Sequence, residues 1–433
     1  MRRSGLTLAS AVFLFASATA DGQETGSIDP PAATGAFAVE LQSDGDGVLA
    51  SWIEPDEDGS RVRSSRLSFP EEGPSWSPPS TIVAGRKLFA NWADRPKVRR
   101  AEDGSLLAHH LEKLGDGTYA YGIRLSTSSD RGATWKDRGW LHDDERSVEH
   151  GFASMATTSD GVLGVWLDGR AMPEATGDDH GHGHASGGAM SLRAARWRVG
   201  DDDAPASIAL DARVCECCDT DIAWTSDGPI VVYRDRGPNE ERDISIVRLV
   251  DGDWTMPAPV HRDDWVIEGC PVNGPSVAAD GRRAMVAWFT EAPGEGDDPR
   301  PPRLLAAMSS DAGATFGDPW VVSDRTIGRT QVVPIGGGEF VACWVDLRSP
   351  VAFDPRSFKG TTHGSIALQR IGPDGPVGSP TLIDAIGLDR MTGFPRLAVV
   401  SPDERTGAPL RIVVAWRDGS SNELRADLVE PPR

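Results

Sequence analysis

Three of the five cysteines in this 433-residue chain fall within four positions, Cys215, Cys217 and Cys218, in the stretch RVCECCDTDIAW. Thiolates do two kinds of chemistry: they pair into disulfides in an oxidising compartment, and they ligate Cu(I) or Zn(II). A fourth cysteine, Cys270, follows Cys215 by 55 residues in GCPVNGP, while Cys343 sits in the apolar run VACWVD and is expected in the core. Cys270 can bridge one of the clustered cysteines. Alternatively Cys215, Cys217, Cys218 and Cys270, with His150, can hold copper or zinc. C-x-C-C is not a zinc-finger spacing, so both readings stand. A second tract, GDDHGHGHASGGAM, alternates His180, His182 and His184 with glycine beside Asp178 and Asp179. Such a tract captures metal loosely or serves as a solvated loop. For an enzyme, the densest polar group is Tyr233, Asp235 and Arg236, which suggests carboxylate chemistry on a glycoside. Carboxylates recur two residues after an aromatic at Asp168, Asp235, Asp346 and Asp418, with Arg170, Arg236, Arg348 and Arg417 close by. That repetition points to Asp–Arg pairing between repeated units.

The elements that carry these residues repeat. An apolar strand ending in an aromatic or histidine occurs seven times, with anchors Trp52, His109, Trp166, Tyr233, Trp288, Trp344 and Trp416 at intervals of 55–72 residues. Each copy follows a short apolar segment, such as PSVAAD, and precedes an alternating one, such as RLLAAM. Short strands separated by Gly, Asp and Pro turns at this period predict an all-β fold, one β-propeller of seven four-stranded antiparallel blades, with six as the alternative. In a propeller the segments leading into innermost strands and the loops after second strands share one face. His150, the cysteine cluster and Cys270 precede the innermost strands of units three, four and five. They are therefore expected along one arc of the channel mouth.

Two further stretches match S-x-D-x-G-x-T-[W/F], at Ser128, Asp130, Gly132 and Trp135, and at Ser309, Asp311, Gly313 and Phe316. This pattern resembles the Asp-box of the sialidase (neuraminidase) superfamily. The resemblance implies a propeller with the motif at turns between third and fourth strands, and an activity or binding function directed at glycans. It does not extend to a sialidase active site. The last tyrosine is Tyr233, so no late Tyr–Glu pair exists, and the arginine signature is only echoed by Asp94-Arg95-Pro96.

A net charge of −21 argues against nucleic acid and anionic membrane partners. The N-terminus combines Arg2 and Arg3, an apolar run and Ala18-Thr19-Ala20, which predicts a signal peptide over 1–20, cleaved near Ala20, and a periplasmic or secreted protein. No later segment reaches the roughly 20 apolar residues of a membrane span. Residues 21–35 are expected to lead into, or close, a propeller spanning 36–430, and a monomer is expected. The sequence thus points to an exported propeller with a Cys/His site for copper or zinc. The alternatives are a glycoside hydrolase or an exo-sialidase-like glycan-processing or glycan-binding propeller, and a disulfide-stapled interaction scaffold.

Overall fold

The computed structural model describes residues 16–18, 24–174, 188–201, 203–293, 300–347, 363–402 and 407–433. The strands form seven antiparallel sheets arranged as a closed ring of blades. The second strand of each blade carries the repeated apolar run. In blade 3 every residue of Gly161–Asp168 is buried, because a strand sandwiched between two blades has no solvent face. The seven anchors all lie on these second strands and are 0–4 % exposed. Each of the aromatic Trp and Tyr anchors contributes roughly 1.5–3 kcal/mol of burial. The cores therefore lie between blades, as in the cluster that joins Val162 and Trp166 of blade 3 to Leu107 and Ile123 of blade 2.

The innermost strands are Phe37–Asp44, Lys97–Arg100, His150–Thr158, Asp221–Thr225, Ser276–Asp280, Gln331–Gly336 and Arg396–Val400. Each lies against the innermost strands of its two neighbours, and the last returns to the first. They enclose a channel of about 460 Å³. Blade 7 supplies only three strands of its own, Arg396–Val400, Arg411–Asp418 and Glu423–Val429. Its outer edge is covered by Glu24–Ser27, where Gly26 pairs with Leu428 and Ser27 with Asp427. Ile28 N donates to Ala426 O at 2.8 Å, and Asp29 pairs with Arg425 at 2.9 Å. This joins the two ends of the chain and covers the outer edge of Glu423–Val429. Among the described residues one 3₁₀ turn, Arg390–Thr392, is the sole helical element, and no helix is long and apolar enough to cross a membrane.

The two S-x-D-x-G-x-T turns have the same geometry. They join third to fourth strands in blades 2 and 5. Ser128 Oγ donates to Asp130 Oδ1 at 2.7 Å and accepts from Gly132 N at 2.8 Å; Ser309, Asp311 and Gly313 repeat this at 2.8 and 2.8 Å. The Thr134 hydroxyl and amide, with the Ser128 hydroxyl, bring Asp130 down to about 2. Gly132, at φ +89°, takes a conformation that favours glycine. Trp135 packs with residues of blades 1 and 2, and Phe316 with residues of blades 4 and 5. The aromatics therefore wedge neighbouring blades together.

Candidate functional site at the channel mouth

The loop from Ile208–Val214 to Asp221–Thr225 carries the cysteine cluster, and the loop from Ala258–His261 to Ser276–Asp280 carries Cys270. Cys217 and Cys270 are disulfide-bonded, with Cα atoms 6.0 Å apart. Arg234, fully buried in blade 4, draws the two loops together. It donates to Asn273 O at 2.9 and 3.0 Å and to Phe289 O at 2.8 Å, and it stacks on Trp265. The Cys215 amide donates to the Arg234 carbonyl at 3.0 Å. Its sulfur lies 3.4 Å from that of Cys218, without a bond. The sulfurs of Cys215, Cys217 and Cys218 all fall within 4.8 Å of one another, as do Cys215, Cys270 and a carboxylate oxygen of Glu216. Burial pushes the Cys215 thiol up, but the Cys218 contact and the guanidinium groups of Arg242 and Arg234 bring it down to about 7. Burial and Cys215 raise the Cys218 thiol. Cys343 lies apart in blade 6, where burial pushes it to about 12.

His150 does not join the sulfurs. Its Nδ1 meets Asp168 at 3.1 Å, its Nε2 lies 3.6 Å from Asp144, and its ring stacks on His142 at 4.0 Å. Neighbouring residues along a strand face opposite ways, and here that alternation turns Glu149 and His150 to different partners. The sequence points to His150, whereas the residue before it is the one whose carboxyl feels the charge of Glu216 in the cysteine loop. Glu149 accepts a hydrogen bond from the Tyr121 hydroxyl, and its carboxyl feels the charges of Asp94 and Glu216. Burial, opposed by the Tyr121 hydrogen bond and reinforced by Asp94 and Glu216, lifts Glu149 to about 8. Burial and the charge of Asp219 lift Asp94 to about 7, against the hydrogen bond from Phe152 N. Gly151 lets these groups meet, since a Cβ there would stand 2.6 Å from Asp94 Oδ2 and 2.9 Å from the Tyr121 ring. Asp94 and Tyr121 are buried, and Glu149 is partly exposed.

The side chains of Tyr233, Asp235 and Arg236 each engage a different partner. The Tyr233 hydroxyl donates to Asp211 at 2.6 Å, Asp235 accepts from Ser245 at 3.1 Å, and Arg236 pairs with Glu216 and with Glu240 at 2.9 Å. The tyrosine paired with a glutamate is instead Tyr121. Asp–Arg pairing between blades is also not the rule for the recurring carboxylates. Asp168 accepts from the Trp166 indole at 2.9 Å and pairs with Arg170 of its own blade at 2.7 Å. Asp346 repeats the indole contact with Trp344 at 3.3 Å, and Asp418 caps the amides of Gly387, Ser420 and Ser421. Arg348 and the tract with His180, His182 and His184 lie outside the described residues.

Below the mouth a buried ionic layer ties the inner strands together. Glu40 pairs with Arg95 and Arg396 at 3.0 Å each, and Arg95 continues to Asp219. Lys97 reaches Asp219 at 3.3 Å and Ala153 O at 2.6 Å. Burial would raise Glu40, yet Arg396, Arg95 and Lys97 hold it at about 2. Arg95 and Arg396 are therefore committed to protein carboxylates. Trp92, partly exposed, stacks on Phe394 at 6.2 Å, and Arg329 lies over Trp92 at 4.9 Å.

No family model matches this chain, and no curated protein matches it in sequence. Solved structures do resemble it. An ulvan lyase from a polysaccharide lyase family, solved with -[GlcA(1-4)Rha3S]- bound, aligns with TM-score 0.53 at 12% identity over 93% of this chain and 96% of the lyase. The endosialidase of phage phi92 aligns with TM-score 0.48 at 10% identity, covering 95% of this chain and 70% of the enzyme. The Trypanosoma rangeli sialidase aligns with TM-score 0.45 at 11% identity, covering 90% and 59%. At these identities the shared property is the propeller fold, and that argument rests on the lyase.

Proposed function

We propose that this protein is a glycan-processing propeller in which Glu149 is the proton-transfer group, with Tyr121 and Asp94 positioning and tuning it. The observation that carries the reading is the Tyr121 hydroxyl donating to the Glu149 carboxyl at a partly exposed position on the mouth face, where burial raises that carboxyl to about 8. A carboxylic acid that keeps its proton at neutral pH can donate it to a glycosidic oxygen. The likeness to an ulvan lyase with a bound glycan supports the ligand class. A sialoside is not the expected substrate, since Arg95 and Arg396 both pair with Glu40. The test is a panel of neutral and acidic polysaccharides, assayed for new reducing ends and unsaturated products. Wild type should cleave one of them and Glu149→Gln should not. A wild-type protein that neither binds nor cleaves any member overturns the proposal. The reading includes export, with a leader over 1–20 removed near Ala20, which N-terminal sequencing of the mature protein checks.

A copper or zinc ion at the cysteines is a second reading, favoured by three sulfurs within 4.8 Å. With Cys217 bridged to Cys270, only Cys215 and Cys218 of this group keep thiols, fewer than the three or four ligands that close such a sphere. A tetrahedral zinc ion therefore requires the bridge to be open. Elemental analysis of the protein, reduced and oxidised, tests this.

A further inference from the structure

We propose that the clustered cysteines form a thiol–disulfide exchange site, in which the Cys215/Cys218 dithiol passes two electrons to an outside disulfide through the Cys217–Cys270 bridge. A structural staple needs only the one bridge. Here two more thiols stand beside it with their sulfurs 3.4 Å apart, and Cys215 is within 4.8 Å of both bridged sulfurs. Cys215 and Cys218 are also three residues apart, a C-x-x-C spacing set inside CECC. Cys215, Cys217 and Cys218 are at most 4 % exposed, whereas Cys270 is partly exposed. An outside molecule therefore meets the site at Cys270.

The chemistry balances in four exchanges. The Cys215 thiolate attacks the Cys270 sulfur, the Cys217–Cys270 bond breaks, and Cys217 leaves as a thiolate that takes up the proton Cys215 released. Cys218 then attacks Cys215, closing Cys215–Cys218 and freeing Cys270. The Cys270 thiolate attacks an outside disulfide, R–S–S–R, releasing one RSH; Cys217 resolves the mixed disulfide, restores the bridge and releases the second RSH. The pair Cys215/Cys218 is oxidised by two electrons and R–S–S–R is reduced to two thiols. The reverse sequence oxidises an outside dithiol. The proposal uses none of the groups assigned to glycan chemistry.

The test counts thiols in the full-length mature protein. Samples are held with glutathione disulfide or with buffer alone, quenched in acid, unfolded, alkylated with N-ethylmaleimide and mapped by mass spectrometry. The expected result is alkylation at Cys215, Cys218 and Cys343 without oxidant. After oxidant only Cys343 should be labelled, with a Cys215–Cys218 crosslink and the Cys217–Cys270 bridge both present. Cys343→Ser should leave the change intact, and Cys270→Ser should slow it. Two results overturn the proposal: Cys215 and Cys218 stay alkylatable under oxidant, or they are masked by a stoichiometric metal that a chelator removes. The wild-type count needs no variant to fold.

Discussion

Replacing Glu149 with Gln should remove a pH-dependent cost that the folded protein carries. Burial, with the charges of Asp94 and Glu216 and against the Tyr121 hydrogen bond, raises this carboxyl from 4.5 to about 8. Between those values the folded state binds a proton that the unfolded chain releases. The contribution of the protonated group is therefore complete below 4.5 and is lost as pH rises through about 8. Inside the window each pH unit is worth up to about 1.4 kcal/mol for one group. From pH 5 to pH 7, wild type should lose about 2–3 kcal/mol relative to Glu149→Gln, allowing for the coupling to Asp94. The amide keeps an oxygen that can accept the Tyr121 hydroxyl, so the comparison isolates the charge. Urea unfolding followed by tryptophan fluorescence at pH 5, 6, 7 and 8 reads the difference. If the stability curves of variant and wild type run parallel, Glu149 is ionised throughout this range. The assignment of a neutral carboxylic acid at the mouth is then wrong.

Glu40→Gln leaves Arg95 and Arg396 buried without their shared carboxylate and should destabilise the protein by about 3–5 kcal/mol, measured by denaturant midpoint. Gly151→Ala should force Asp94 and Tyr121 apart and lower glycan cleavage while leaving the thiol count unchanged. Removing residues 24–30 should uncover the Glu423–Val429 edge, lowering the unfolding temperature and promoting association in light scattering. Release of sialic acid from a fluorogenic sialoside should stay at background, and ordinary enzymatic turnover there would refute the argument from Arg95 and Arg396.

Much of the fold was legible in the chain because a propeller is local. Each blade is built from strands consecutive in sequence, so a period of 55–72 residues with one buried anchor per copy already contains the seven-bladed arrangement. The same locality put Cys217 and Cys270 in reach of each other, since matching positions one repeat apart fall on adjacent innermost strands. Side-chain direction and long-range partners were not legible. Glu149 and His150 are neighbours in sequence, and only the register of the inner strand sends one to Tyr121 and the other to Asp168. Nothing in the sequence marks Tyr121, because its glutamate lies 28 residues away on the next blade. Tyr233 stood out in sequence, yet its hydroxyl is engaged by Asp211 of the preceding blade. Composition and period thus determine which strands form and in what order they close the ring. The shifted acidity of Asp94 and Glu149 arises only when separate blades bury these carboxyls beside other charges, and a linear sequence does not display that proximity.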